Sequence, residues 1–152
     1  MKTKVLMVCL GNICRSPLAE GILKSKVDST LIEVDSAGTA GYHIGNPPDL
    51  RSIAVARKYQ IDISKQRCRR FVREDFDRFD HIFVMDQSNY QDVMEIAEES
   101  NHYEKVKLLL EEVELGPSEV PDPYYGGDSG FEYVFELIDQ ACNALILRLQ
   151  QD

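Results

Sequence analysis

The chain has 152 residues, 43% of them hydrophobic and 28% charged, which suits one stable domain that needs no disulfide staples. Its formal net charge of −9 argues against general binding to nucleic acid or an acidic membrane, and its apolar runs are too short to cross a bilayer. A site for an anion must therefore be a local positive spot.

Residues 4–9 read as a buried strand behind a basic start that has no small-residue cleavage site, so a signal peptide is not expected. A helix follows over 17–27 and a second strand over 31–36, Leu31-Ile32-Glu33-Val34-Asp35-Ser36. After a Gly/Pro-rich loop, 47–59 reads as a helix with both prolines in its first turn and Leu50, Ile53, Ala54 and Arg57 along one face. The basic cluster Lys65, Arg67, Arg69, Arg70 and Arg73 reads as a solvated face. His81–Met85 is a short apolar strand, 88–98 a helix and Val106–Leu110 a fourth strand. Residues 111–128 form a long loop, a length that in a compact domain usually serves function. The last helix opens on Ser129-Gly130-Phe131-Glu132, which has capping-box form, and carries Phe131, Val134, Phe135, Ile138, Cys142, Leu145 and Leu149 at helical spacing. Strands alternating with helices imply a parallel sheet covered on both faces, with ligands beyond the carboxyl ends of its strands.

The chemistry is concentrated in Val8-Cys9-Leu10-Gly11-Asn12-Ile13-Cys14-Arg15-Ser16-Pro17. A strand, a tight loop and a helix N-terminus build a nest of backbone N–H groups that binds anions. Arg15 can close that nest with a fork that holds two oxygens of a phosphate. Cys9 sits at the bottom, where a positive field favours the nucleophilic thiolate. Ser16 can donate to the Cys9 sulfur or serve as a helix cap. Gly11 lets the backbone approach the anion, and Asn12 tolerates a left-handed conformation.

The run C-x5-R-S within V-C-L-G-N-I-C-R-S-P resembles the active-site loop of the low-molecular-weight protein tyrosine phosphatases. Asp122-Pro123-Tyr124-Tyr125, Asp35-Ser36-Ala37-Gly38-Thr39, Gly45-Asn46-Pro47-Pro48-Asp49 and Met85-Asp86-Gln87-Ser88-Asn89 also look like blocks of that family, so the likeness covers essentially the whole chain. It implies an α/β three-layer domain over 1–152 with a four-stranded parallel sheet of order 2-1-3-4. It also implies hydrolysis of phosphotyrosine and aryl phosphate monoesters through a phosphocysteine intermediate, without metal or other cofactor. Cys9 is then the nucleophile, Arg15 the charge clamp and Asp122 the general acid. Leu10, Gly11, Asn12, Ile13, Cys14, Arg15 and Ser16 hold the phosphate. Ser36 braces Asn12, and Asp86 orients Arg15. Tyr42, Tyr124 and Tyr125 are candidate walls of a cleft deep enough for phosphotyrosine.

The resemblance also makes Cys14 a redox partner that traps oxidised Cys9 as a reversible disulfide, although a small buried loop residue explains it as well. Ile13 replaces the threonine of bacterial relatives that act on phosphoarginine, which favours phosphotyrosine. Gln66-Arg67-Cys68-Arg69-Arg70 departs from a His-x-Ala-Arg-Gln pattern frequent in the family, so contacts behind the site are expected to differ. None of His43, His81 and His102 matches a catalytic position. Four scattered cysteines suit a reducing, cytoplasmic setting. The expected partners are phosphotyrosine proteins, with the chain a monomer or weak dimer. Two rivals stay open. Arsenate reductases share the loop but need two further cysteines a few residues apart, whereas Cys68 and Cys142 are distant. A non-enzymatic phosphotyrosine or oxidant sensor would normally have lost the nucleophile or acid kept here.

Overall fold

The computed structural model describes residues 2–114, 116–124 and 128–151. Its centre is β1 (Thr3–Cys9), flanked by β2 (Ile32–Gly38) and β3 (His81–Val84), with β4 (Val106–Leu108) at the far edge. All pairings are parallel and the order is β2-β1-β3-β4, the doubly wound arrangement expected. In β1 the side chains alternate between two apolar layers. Val5, Met7 and Cys9 face the layer that holds Leu18, Ile22, Phe131 and Ile138. Leu6 and Val8 face the layer of Phe71, Phe76, Ile82 and Val93. Burying each such side chain contributes about 1.5–3 kcal/mol.

Helix α1 (Arg15–Lys26) begins two residues earlier than periodicity suggests, because the loop before it feeds directly into the first turn, and Pro17 is its third residue. Helix α2 spans Leu50–Lys58. Pro47 and Pro48 lie before it, not in its first turn, because the Asp49 side chain caps the helix by accepting from Arg51 N. Its buried face is Ser52, Ile53, Val55 and Ala56, while Leu50, Ala54 and Arg57 are exposed. The expected stripe was therefore rotated.

Two short helices, α3 (Asp75–Arg78) and α5 (Ser100–Lys105), escape a periodicity reading because each offers barely one turn. Between them α4 spans Gln87–Ile96, capped by Asp86 through Asn89 N. Strand β4 stops at Leu108, and Leu109–Glu112 is a 3-10 turn. Helix α6 covers Asp128–Gln151, starting one residue before the expected cap. Glu132 accepts from Lys58 Nζ and from Tyr59 Oη, the latter at 3.0 Å, which joins α6 to the end of α2. The side chain of Ser129, at the other end of the expected cap, lies outside the described residues.

The basic cluster is only partly a solvated face. Arg69 grips the fully buried Asp75 carboxylate with two parallel bonds of 3.1 Å and also pairs with Asp35 at 3.1 Å. Asp75 further accepts from Val72 N at 2.9 Å, so the buried charge is compensated. No helix among the described residues is long and apolar enough to cross a membrane.

Candidate active site

Cys9 ends β1 and α1 starts at Arg15, so residues 10–14 turn around the Cys9 sulfur. Asn12 takes the left-handed conformation, φ 57°, which its short polar side chain tolerates. This turns Asn12 N toward Cys9 Sγ at 3.3 Å. The Ser16 hydroxyl lies 3.1 Å from the same sulfur. Ser16 is the second residue of α1, and the residue that precedes the helix, Cys14, makes no side-chain cap bond. Ser16 therefore faces the sulfur rather than capping the helix.

Behind the loop runs a buried chain of polar contacts. Asn12 Nδ2 donates to Ser16 Oγ at 2.8 Å and to Ser36 Oγ at 3.0 Å, and Ser36 Oγ donates to Glu20 Oε1 at 2.7 Å. Ser36 thus joins Asn12 to Glu20, a residue that no local pattern in the sequence marks. On the other side Asn12 Oδ1 accepts from Arg69 N at 3.0 Å, and its carbonyl accepts from the Cys68 thiol at 2.7 Å. The end of β2 presses closely on this loop. A Cβ at Gly38 would lie 2.8 Å from Leu10 O and 3.0 Å from Asn12 N, so only glycine fits there. Gly11 has room for ordinary contact with His43.

Arg15 is 2% exposed. Its Nη1 donates to Asp86 Oδ2 at 2.6 Å and to Val120 O at 3.0 Å, while Nη2 lies 3.7 Å from Asp122 Oδ2. Burial works to lower its pKa, but the negative charges of Cys9, Asp86 and Asp122 outweigh it and raise the pKa overall. Asp86 and the Val120 carbonyl thus share one nitrogen of the guanidinium. Asp122 also accepts from Tyr124 N at 3.0 Å. Pro121 and Pro123 flank it.

A cleft of about 340 Å³ opens over the sulfur, lined by the loop and by Asp122, Tyr42, Tyr124 and His43. Leu10, Gly11, Ile13 and Cys14 all contribute to that lining, whereas Asn12 and Ser16 act from beneath. Tyr125 lies outside the described residues. His43 was missed as a wall residue, although its place beside Tyr42 on one loop could have pointed to it. His102 is buried, stacks on Phe76 at 4.3 Å and accepts from Glu98 N at 3.2 Å, so its role is structural.

Burial, then the charges of Asp49 and Cys9, push the Cys14 thiol up to about 12. Cys142 lies fully buried in α6 and Cys68 under the phosphate loop, so they form no neighbouring pair of the kind an arsenate reductase needs.

A cysteine sulfur held by a loop amide and a serine hydroxyl, beside a buried arginine at the carboxyl end of a parallel sheet, marks an α/β protein of the cysteine-nucleophile, anion-binding class. Comparison with known proteins narrows the class. Residues 4–152 match the family model described as low molecular weight phosphotyrosine protein phosphatase. The human protein of that name is 42% identical, with 93% of this chain and 92% of that one covered. The Schizosaccharomyces pombe protein is 40% identical, with 93% and 94% covered. A protein tyrosine phosphatase from Entamoeba histolytica, crystallised with Hepes in the active site, superposes with a TM-score of 0.94 at 36% identity, covering 99% of this chain and 98% of that one. The chain belongs to the low molecular weight phosphotyrosine protein phosphatase family.

Proposed function

We propose that this single domain hydrolyses phosphotyrosine side chains and aryl phosphate monoesters through a phosphocysteine intermediate on Cys9. The observation that carries the reading is the Cys9 sulfur held by Ser16 and Asn12 N beside buried Arg15, with Asp122 across the cleft. The Cys9 thiolate attacks phosphorus in line with the leaving phenolic oxygen. Arg15 and the loop amides hold the equatorial oxygens as charge shifts among them. Asp122 protonates the departing phenolate, so that the tyrosine hydroxyl leaves neutral. The same carboxylate then takes a proton from water as it attacks the phosphocysteine, releasing phosphate. Ser16 donates to the departing Cys9 sulfur in that second step. Tyr42, Tyr124 and His43 supply walls for the aromatic ring, and the family's phosphotyrosine proteins are the substrates this cleft suits.

The test is hydrolysis of p-nitrophenyl phosphate and of a phosphotyrosine peptide with chelator present. Cys9→Ser is expected to abolish turnover, and Asp122→Ala to slow it by about 10²–10⁴, the usual worth of general acid–base catalysis. A fully reduced wild type that binds phosphotyrosine without turning it over would make the protein a binding module instead. In a reducing, cytoplasmic setting the proposed role of Cys14 is to rescue oxidised Cys9. Peroxide converts the Cys9 thiolate to a sulfenic acid, and the Cys14 sulfur displaces hydroxide to form a disulfide that thiols reduce. Cys14→Ser should then make peroxide inactivation irreversible to dithiothreitol, with activity recovery as the readout. The protein acts as a monomer or weak dimer.

A further inference from the structure

One guanidinium lies between the two loops of the proposed reaction and is used by neither. The Asp49 backbone N donates to Ile13 O in the phosphate loop at 2.8 Å, and Ser52 Oγ donates to Cys14 O at 3.4 Å. The start of α2 is thus fastened to the phosphate cradle. From that platform the Asp49 carboxylate grips Arg51 with two bonds, Nε to Oδ1 and Nη2 to Oδ2, both 3.1 Å. The same Nη2 donates to Tyr124 O at 2.9 Å. The plane of the guanidinium rests over the buried Phe131 ring at 4.7 Å and over Tyr124 at 5.4 Å. Tyr124 N in turn holds Asp122 Oδ1 at 3.0 Å. A line of contacts therefore runs from Ile13 through Asp49, Arg51 and the Tyr124 peptide to Asp122.

We propose that Arg51 is a positioning residue that sets the place of the Asp122 carboxyl over the leaving oxygen, an inference that rests on Asp122 being the general acid. Arg51 does not line the cleft and touches no reacting atom. Its effect passes through the Tyr124 peptide. Without it the acid loop keeps its prolines and the Asp122–Tyr124 turn but loses the Arg51 bond to the Tyr124 carbonyl. Asp122 Oδ2, only 3.7 Å from Arg15 Nη2, is then free to close on that cation and away from the leaving group. Misplacement by about 1 Å can cost a reaction roughly 10²-fold. Lysine cannot replace the fork, because three directed bonds and a stacked plane need a guanidinium.

The experiment reads kcat/KM for aryl phosphates whose leaving phenols range from p-nitrophenol to unsubstituted phenol, since dependence on the acid grows as the leaving group becomes poorer. Wild type is compared with Arg51→Met, which keeps an apolar stem on Phe131, with Arg51→Lys, with Asp122→Asn and with Arg51→Met/Asp122→Asn. Arg51→Met is expected to lose about threefold on p-nitrophenyl phosphate and about thirtyfold on phenyl phosphate, steepening the dependence on leaving-group acidity. Arg51→Lys should fall between it and wild type, and the double variant should lose no more than Asp122→Asn alone. Melting temperatures check folding, and should Arg51→Met not fold, the slope of Arg51→Lys decides. Equal losses on every substrate, or additive losses in the double variant, overturn the proposal and leave Arg51 a packing residue. If Asp122→Asn itself leaves the slope unchanged, Asp122 is not the acid, and that variant alone identifies the failure.

Discussion

At the scale of single residues, Asn12 concentrates several demands on one side chain. It turns the loop through the left-handed region, bonds Ser16 and Ser36, and accepts from Arg69 N. Asn12→Ala strands the Arg69 N–H, removes a donor from the Ser16 and Ser36 hydroxyls and forces alanine into φ 57°. Each orphaned buried group costs about 1–3 kcal/mol. Urea denaturation should show a loss in that range, accompanied by a fall in kcat larger than the change in KM. Unchanged kcat at normal stability would mean that the network does not hold the loop in its reactive shape. The motif made Asn12 and Ser36 legible because their residue types stand at fixed places in a recognisable pattern. Glu20 and Arg51 were not legible. Each acts through contacts made by folding, over sequence distances that no local pattern encodes.

At the scale of elements, α1 meets the segment 61–66 at Gly21. A Cβ there would lie 2.5 Å from Ile63 Cγ2 and 3.2 Å from Ile61 Cγ2. Alanine favours a helix over glycine by about 1 kcal/mol, but overpacking costs roughly 1–3 kcal/mol. Gly21→Ala is therefore expected to lower the melting temperature even though the helix itself gains. A higher melting temperature would show that Ile63 yields freely. All four strands were legible, because buried parallel strands read as apolar runs between helices, whereas their order came from the family resemblance alone. The stripe of α2 was not legible. Leu50 is 80% exposed because the face of that helix is chosen by Asp49, whose cap and backbone tie to Ile13 orient the helix. Hydrophobic periodicity carries no record of such a constraint. Glu132 tells a similar story, since its partners Lys58 and Tyr59 lie more than seventy residues away.

At the scale of the whole molecule, buried thiols set a limit in alkali. Burial pushes Cys14 and Cys142 up to about 12 from an ordinary value of 9.0. The folded protein keeps these protons where the unfolded chain has released them. Stability must therefore be full below about pH 9 and fall as pH rises from there toward 12. Each titrating thiol contributes a slope of up to about 1.4 kcal/mol per pH unit. Urea titrations under reducing conditions at pH 8, 9 and 10 should show the decline, and Cys142→Ala should flatten it. An identical decline in Cys142→Ala would place its origin elsewhere.

The partners of Arg15 have a consequence for how the protein comes into being. Asp86 and Val120, which satisfy its buried guanidinium, are synthesised long after the cradle they complete. A nascent chain halted before residue 86 has neither partner, and its cysteine loop then carries a cation whose burial nothing compensates. The reactive centre is therefore completed by long-range closures rather than by growth from its own segment.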